Sequence, residues 1–305
     1  MLIINVHDLD PQPSSDWAFQ PSRLQALLER LVSRGYTFGL PTAVSPDTDL
    51  FCSITFDDCR LGAYRYGPEI LASFSVVATY FPVIRFLLQE PPPEFEAYSR
   101  FMGVSELRAL FRAGHAVGSH GMSHAPYFHQ FDADIASDLT QSKRALEELL
   151  ASTIQSVSIP YGQINSRTLE LAASAGYSTV LSADAAWNKR FLPLPALRRI
   201  SLRSSISDEA LYAALDEMEL RRSVVQAVDC SQNAVTAWEW PTLYRLRSYD
   251  VVVVTDQKAK EHCERFGVCN VIVKRSADVE ADVRAFLDQA LNTQGRDIYL
   301  ESFSG

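Results

Sequence analysis

Positive charge is scarce in this chain, and long apolar runs are absent. Lys and Arg number 28 against 37 Asp and Glu among the 305 residues, which gives a formal net charge of −9, and no run of basic residues breaks that balance. A nucleic-acid partner is therefore disfavoured, because phosphate binding needs a cationic face. The longest apolar stretches, such as residues 251–254, are far shorter than the roughly 20 residues that span a bilayer. We expect no transmembrane segment.

Cysteine is also sparse, since the five cysteines are scattered and form no Cys-x-x-Cys pair. This pattern argues against a disulfide framework and against a structural zinc site, and it favours reduced thiols. The first residues lack the basic region and the long apolar core of a signal peptide. These features predict a cytoplasmic protein.

What the sequence does contain is an alternation of short apolar runs, rich in β-branched residues, with segments of helical period. This alternation is typical of βα units around a largely parallel sheet, so the predicted fold class is α/β. The predicted strands are Leu2–Val6, Phe51–Phe56, Val76–Val83, Ala116–Ser119, Ser156–Ile159, Ser178–Leu181 and Arg199–Leu202. The clearest predicted helices contain Leu24, Leu27, Leu28 and Leu31 in one case and Leu139, Leu146, Leu149 and Leu150 in the other.

The pattern changes after about residue 207, which predicts two domains at residues 1–210 and 211–305. Two strongly apolar strands, at 224–228 and 251–255, lie in the second part and are followed by a helix around 280–291. Residues 249–273 have the pattern of a Rossmann-like β-α-β unit, but no Gly-x-Gly-x-x-Gly supports a dinucleotide site. This module is expected to serve in packing or in oligomerisation. The sequence does not decide between these roles and does not give the oligomeric state.

Polar residues suited to catalysis follow four of the predicted strands. They are His7, the pair Asp57 and Asp58, His120, and the segment Pro160–Gly162. In parallel α/β barrels the active site lies at the carboxyl ends of the strands, where the following loops converge. We therefore expect these residues to face one pocket.

His120 and His124 have the spacing of metal ligands, although such a pair also occurs as unliganded surface or capping residues. The carboxylates of Asp57 and Asp58 repel each other unless a cation lies between them, so the pair indicates a cation site. The alternative interpretation of this pair is a loop that caps the next helix. Asp58, His120 and His124 would form a two-imidazole, one-carboxylate site with open positions for water and substrate. Asp57 would then act as the base. Zinc is the expected metal, with cobalt, nickel or iron as alternatives for this ligand set.

Three ordered segments resemble the motifs of the polysaccharide deacetylase family, also known as the NodB-homology family or carbohydrate esterase family 4. Thr55–Asp58 resembles the first motif, Gly118–His124 the second and Ile159–Gly162 the third, so the resemblance covers roughly residues 1–205. It implies a distorted (β/α)7-type barrel with a smaller C-terminal α/β extension. It also implies hydrolysis of N-acyl or O-acyl groups on sugars with a divalent metal.

The resemblance further implies roles for individual residues. Asp57 corresponds to the general base, and Asp58, His120 and His124 correspond to the metal ligands. The backbone N–H of Tyr161 corresponds to a donor that stabilises the oxyanion.

The segment Asn5–Asp8 resembles the amino-terminal segment of the circularly permuted branch of the family, in which a histidine is the general acid toward the leaving amine. This resemblance implies the acid role for His7. Asp8 or Asp10 is expected to orient the imidazole and to raise its pKa.

Two positions depart from the family pattern. Cys59 stands where a glycine usually follows the aspartate pair, at a position with a special backbone conformation. Ser158 stands where many members have the arginine that helps to hold the base. Arg199 is the residue that we expect to substitute for it.

These inferences predict a metal-dependent carbohydrate N-deacetylase that removes an acetyl or formyl group from an amino sugar. A cytoplasmic enzyme would meet a nucleotide-linked or lipid-linked sugar, as in surface-polysaccharide or lipopolysaccharide biosynthesis. Two alternatives are a catalytically inactive, metal-retaining barrel that binds a sugar or a partner, and an amidase for a non-sugar amide.

Overall fold

The chain alternates strands and helices. The computed structural model describes residues 1–42, 50–91, 100–189, 196–220, 222–238, 245–268, 270–291 and 297–303. The strands are β1 (Leu2–Val6), β2 (Asp8–Leu9), β3 (Ala18–Phe19), β4 (Thr37–Phe38), β5 (Phe51–Asp58), β6 (Ala78–Pro82), β7 (Ala116–Val117), β8 (Ser156–Ser158), β9 (Thr179–Leu181), β10 (Ile200–Ser201), β11 (Val225–Asp229), β12 (Val251–Val254), β13 (Val271–Val273) and β14 (Ile298–Ser302). The helices are α1 (Pro21–Ser33), α2 (Leu61–Ala72), α3 (Ile84–Leu87), α4 (Val104–Arg112), α5 (Asp132–Leu150), α6 (Ser166–Ser174), α7 (Asp208–Leu220), α8 (Gln257–Arg265) and α9 (Val279–Leu291).

The main sheet has the strand order β10-β1-β5-β6-β7, and β4 pairs with the start of β5. Every strand pair in this sheet is parallel. β8 and β9 form a further parallel pair. A single bridge from Ser119, which follows β7, to Val157 links β8 to the main sheet on one side. A second bridge joins Leu181 of β9 to Leu197, just before β10, on the other side. β1 and β5 to β10 thus form an interrupted ring, which is the α/β class and distorted barrel that the sequence predicted.

The elements form where the apolar pattern predicts them. Strands of a parallel sheet are covered on both faces and are therefore almost continuously apolar, and all five residues of β1 are buried. The buried leucines of α1 lie on one face of that helix. Predicted strand ends are off by a residue or two: β5 continues to Asp58, so both aspartates of the pair lie within the strand. β2, β3 and β4, of two residues each, were not predicted.

Strand register brings the polar strand ends together. Val6 of β1 pairs with Phe56 of β5, and Asp57 pairs with Phe81 of β6. His7, which follows Val6, therefore leaves the sheet at the same level as Asp57. This common edge is the carboxyl edge of the parallel strands, where such folds place their sites.

The C-terminal extension, defined here as β11 to β14 with the helices between them, is a second parallel sheet in the order β13-β12-β11-β14. Val252 and Val254 pack in one apolar cluster with α8, and Val251 and Val253 pack in another with α9. The predicted β-α-β unit is present as β12, α8 and β13. The domain limit at residue 210 stays a prediction; α7, which lies across it, packs in the barrel core.

No helix among the described residues is long and apolar enough to cross a membrane. Cys52, Cys59, Cys230 and Cys263 are buried free thiols, and Cys269 lies outside the described residues.

Candidate active site

One cavity of about 590 Å³ is lined by the seven residues predicted to bind the metal or to act as base, supporting arginine, acid and oxyanion donor. Its volume lies within the usual range of ligand pockets, about 300 to 1,000 Å³. The seven residues are His7, Asp57, Asp58, His120, His124, Tyr161 and Arg199.

Asp58, His120 and His124 place one possible ligand atom each within 4.8 Å of the others. Asp58 Oδ1 lies 3.6 Å from His120 Nε2 and 3.5 Å from His124 Nε2. This oxygen is buried and makes no hydrogen bond among the described residues. Tetrahedral ligands at about 2.0–2.2 Å from a metal are about 3.3–3.6 Å apart. The donor set and its spacing therefore fit a divalent cation.

The orientation of the His120 ring is set by a backbone carbonyl. His120 Nδ1 lies 2.7 Å from the carbonyl oxygen of Ser158, and because that oxygen can only accept, Nδ1 must carry the hydrogen. Nε2 is then left with its lone pair on the side of Asp58. A backbone or carboxylate partner for the second ring nitrogen is the usual support for a metal-binding histidine.

The loop that carries His124 is held by Asp138, which the sequence analysis missed. Asp138 accepts hydrogen bonds from the Met122 backbone N–H at 3.0 Å and from the Ser123 hydroxyl at 3.2 Å. Gly121 has a φ of +81°, and a Cβ added there would lie 2.6 Å from Asp138 Oδ1. Asp138 stands on α5 beside the buried Leu139. The sequence signal that could have identified Asp138 is its position as an acidic residue next to the core-facing stripe of α5.

Asp57 is held by Arg199 through both carboxylate oxygens, at 2.8 and 2.7 Å. Ser158 Oγ and Asn5 Nδ2 also donate to Asp57 Oδ2, at 3.0 and 3.2 Å. Burial alone would raise the pKa of this carboxyl, but the charges of Arg199 and then His120, with the hydrogen bonds from Arg199, bring it well below its usual range. Asp57 is thus an oriented carboxylate, ionised at neutral pH.

Arg199 reaches the base beside Ser158, the position at which the family pattern has an arginine. Its Nη2 donates to Ser158 Oγ at 2.7 Å, and its Nε donates to the Ser182 carbonyl at 2.8 Å. The small side chain of Ser158 leaves room for the guanidinium that arrives from the start of β10. The structure therefore brings Arg199 to the base, as the sequence analysis expects; its effect on catalysis stays a prediction.

The backbone conformation expected at position 59 is present although the residue is not glycine. Cys59 has a φ of +58° and Asp58 a φ of +61°, and the Cys59 N–H donates to the Asp57 carbonyl at 2.7 Å. Left-handed conformations of residues with a Cβ cost energy and persist where the surroundings determine them. Two such residues in succession turn the chain sharply beneath the carboxylates.

The third motif forms a tight turn at the cavity wall. Tyr161 and Gly162 have φ values of +59° and +63°. A Cβ added to Gly162 would lie 2.6 Å from the Ala183 Cβ, so glycine is required there. The Tyr161 ring is half-exposed and its centroid lies 4.5 Å from that of His124. The oxyanion role of the Tyr161 backbone N–H stays a prediction.

His7 lines the cavity, and its ring packs on Trp17 with 4.5 Å between centroids. Its Nδ1 is buried and makes no hydrogen bond among the described residues. Burial lowers the pKa of this imidazole below the ordinary value of 6.5, and the opposing charges of Asp58 and Asp57 do not compensate.

The expectation that Asp8 or Asp10 orients His7 and raises its pKa is wrong. The carboxylate of Asp8 accepts the Leu9 backbone N–H at 2.9 Å, and that of Asp10 accepts the Gln12 N–H at 2.9 Å. His7 instead packs against the tilted ring of Trp17, and burial, a tertiary effect, is the main cause of its lowered pKa.

The sequence analysis also gave no role to Trp17, Arg60 and Arg203, which supply an aromatic ring and two guanidinium groups to the cavity. The Arg203 guanidinium lies 3.9 Å from the centroid of the Trp17 ring and pairs with Asp16 at 3.1 Å. Arg60 is buried, and its Nε lies 3.5 Å from Asp58 Oδ2. The cavity thus combines two carboxylates at its base with guanidinium groups and aromatic faces along its wall.

The fold and the site together define a parallel α/β barrel with a carboxylate and imidazole centre at the carboxyl ends of its strands. Residues 45–180 match the sequence model described as polysaccharide deacetylase. We therefore assign this region to the polysaccharide deacetylase family, which confirms the recognition made from the three motifs. The circularly permuted branch stays an expectation.

Individual relatives are distant. The chain is 20% identical over 166 residues to a candidate polysaccharide deacetylase, YxkH, of Bacillus subtilis strain 168. The match covers 54% of this chain and 56% of YxkH, so the chain spans about half the length of this curated relative.

Solved structures show the same fold at low sequence identity. The deacetylase PplD of Streptococcus pyogenes, in complex with acetate, is 18% identical with a TM-score of 0.61, over 70% of this chain and 97% of PplD. IcaB of Ammonifex degensii is 18% identical with a TM-score of 0.60, over 71% of this chain and 96% of IcaB. A de-N-acetylase of Aggregatibacter actinomycetemcomitans is 14% identical with a TM-score of 0.59, over 70% of this chain and 98% of that protein.

Proposed function

We propose that this protein is a metal-dependent N-deacylase that removes an acetyl or formyl group from an amino sugar. The observation that carries the proposal is the position of Asp57 beside the ligand set of Asp58, His120 and His124. Asp57 Oδ2 lies 3.9 Å from His120 Nε2. A base held by an arginine and three possible metal ligands thus share one cavity.

The ligand set supports a divalent cation, and two imidazoles with one carboxylate favour zinc, with cobalt, nickel or iron as alternatives. When bound, such a cation polarises the acyl carbonyl and lowers the pKa of the attacking water. Asp57 takes the proton of that water. The Tyr161 backbone N–H donates a hydrogen bond to the oxyanion. His7, once protonated, gives a proton to the departing amine.

The cavity wall supports a substrate that carries both a sugar and an anionic group. Trp17 and Tyr161 line the cavity with 39% and 51% of each residue exposed, so each offers aromatic surface to a sugar ring. Arg203 lines the same cavity and its side chain is half-exposed, and a guanidinium group matches phosphate geometry. A nucleotide-linked or lipid-linked amino sugar meets both requirements. Surface-polysaccharide or lipopolysaccharide biosynthesis is the setting that we infer.

A reducing compartment agrees with the cysteines. The four described cysteines are free thiols, as is usual in cytosolic proteins. We therefore propose that the reaction takes place in the cytoplasm.

The test is amine release from defined substrates. The full chain, with and without added zinc, would be incubated with N-acetyl and N-formyl amino-sugar nucleotides and with the corresponding neutral methyl glycosides. We expect zinc-dependent release that is faster with the nucleotides, and Asp57→Asn serves as the inactive control. Release from non-sugar amides alone would instead favour the amidase. Zinc binding without release from any substrate would favour the inactive sugar-binding barrel.

A further inference from the structure

A buried arginine of the C-terminal extension reaches the turn of the third motif. Arg247 stands just before β12, outside the region that matches the family, and only 3% of it is exposed. Its Nη2 donates to the Gly162 carbonyl at 3.0 Å and to Asp184 Oδ2 at 2.9 Å. One nitrogen of the extension therefore joins the third motif to the segment after β9.

The turn that Arg247 contacts is intrinsically unfavourable. Tyr161 and Gly162 are consecutive left-handed residues, and the first of them has a full side chain. Such conformations persist where the surrounding structure determines them. Inside the turn, the Gly162 N–H donates to the Ile159 carbonyl and the Ile164 N–H donates to the Gly162 carbonyl, each at 2.9 Å. Arg247 supplies a second donor to the Gly162 carbonyl, from outside the turn.

Asp184 connects the same arginine to the residue that holds the base. Its carboxylate balances the buried charge of Arg247, and its carbonyl accepts the Arg199 backbone N–H at 2.9 Å. A buried guanidinium needs such a charged partner, because its desolvation is otherwise uncompensated. The ion pair of Arg247 and Asp184 therefore connects the third motif to Arg199.

The extension also packs closely beyond the turn. A Cβ added to Gly267 would lie 1.9 Å from the Ile164 carbonyl oxygen, so the extension leaves no space behind residues 162–165. A second buried anchor lies elsewhere in the same interface: Asp250 accepts Arg198 Nη1 at 3.0 Å and pairs with Lys189. These contacts bind the extension to the barrel without touching the third-motif turn.

We propose that Arg247 is a positioning residue for hydrolysis, because it fixes the turn that carries the Tyr161 N–H. The C-terminal extension is then a structural part of the active site. The inference rests on the proposed function, in which that N–H faces the oxyanion. Loss of an oxyanion donor costs about 10²–10³ in kcat, so a donor that is present but poorly placed should cost about 10-fold or more.

The test compares Arg247→Gln and Arg247→Lys with Asp250→Asn, which removes the other buried anchor of the interface. We expect Arg247→Gln to lower kcat per bound zinc about 10-fold or more at nearly constant KM. Because a single nitrogen makes both hydrogen bonds, the ammonium of Arg247→Lys should recover part of that kcat. Asp250→Asn should lower the Tm as much as Arg247→Gln while keeping kcat per bound zinc.

Hydrogen–deuterium exchange supplies a readout that needs no activity. Arg247→Gln should speed exchange of the peptide that covers residues 159–165, and Asp250→Asn should not. The inference is overturned if exchange there is unchanged, if kcat per bound zinc stays within about twofold of wild type, or if Asp250→Asn lowers kcat equally. Faster exchange in an otherwise active enzyme of unchanged kcat would restrict Arg247 to a structural role. A wild-type protein with no activity on any acylated amine would contradict the proposed function itself, and the catalytic part of this inference with it.

Discussion

Arg199 binds Asp57 through both carboxylate oxygens, although the two residues are 142 positions apart in the chain. The guanidinium lowers the pKa of Asp57, keeps it ionised and fixes its orientation next to the ligand set. This relationship determines how the base responds to pH and to mutation.

Replacement of Arg199 with Gln should raise the pKa of Asp57, because burial then acts without its main opposing charge. The base must be ionised to act, so the acidic limb of the kcat/KM profile should move to higher pH. The full pH profile of the variant measures this. Ser158→Ala is the matched control, since it removes one neutral hydrogen bond and should move the limb less. An acidic limb that does not move in Arg199→Gln would show that Asp57 does not set it.

His7→Ala should retain zinc but lose rate on amide substrates, because an amine leaves poorly without a proton. The loss should be smaller on activated esters, whose leaving groups are already good. The two rate ratios, measured on one preparation, test this. Equal losses on amide and ester would exclude the acid role.

The pH profile adds a second test of His7. The protonated form is the active one, and burial lowers its pKa below 6.5. Activity that depends on His7 should therefore fall as the pH rises through a value below 6.5. The alkaline limb of kcat/KM in the wild type should have that midpoint, and His7→Ala should lack the limb. A limb centred well above 6.5 would assign it to another group.

Arg203→Gln should weaken binding of substrates that carry a phosphate. A hydrogen bond to a charged group is worth about 1.5–3 kcal/mol, so KM for an amino-sugar nucleotide should rise about 10-fold or more. KM for the neutral methyl glycoside should stay unchanged. Arg284→Gln is the control, because it makes the same charge change on α9, at a residue that does not line the cavity. Equal effects on both substrates would contradict the anionic subsite.

The parts of the site that could be predicted are those encoded in short contiguous segments. Thr55–Asp58 and Gly118–His124 carry their chemistry on single strand ends, and the parallel fold brings such ends to one edge. The predicted strands can be recognised locally as well, since burial on both faces makes β1 and the first six residues of β5 rich in apolar residues.

What could not be predicted comes from contacts between distant segments. Asp138 lies on a helix whose rotation decides that it faces the second motif, and Arg247 belongs to a region with no motif at all. The pKa of His7 depends on its burial beside Trp17, which is far from obvious in the local sequence. The prediction of Arg199 came from Ser158. The family pattern has an arginine at that position to hold the base, so its absence predicts that another arginine takes this role.

The division of labour between the adjacent aspartates is the central claim, and the zinc content of Asp57→Asn and Asp58→Asn tests it most directly. Both variants would be purified with added zinc, dialysed together and measured by elemental analysis, with kcat determined on the same samples. We predict that Asp57→Asn retains equimolar zinc while kcat falls about 10² to 10⁴-fold, and that Asp58→Asn loses most of its zinc. A zinc-free Asp57→Asn beside a zinc-loaded Asp58→Asn would contradict the account, because base and ligand would then be interchanged.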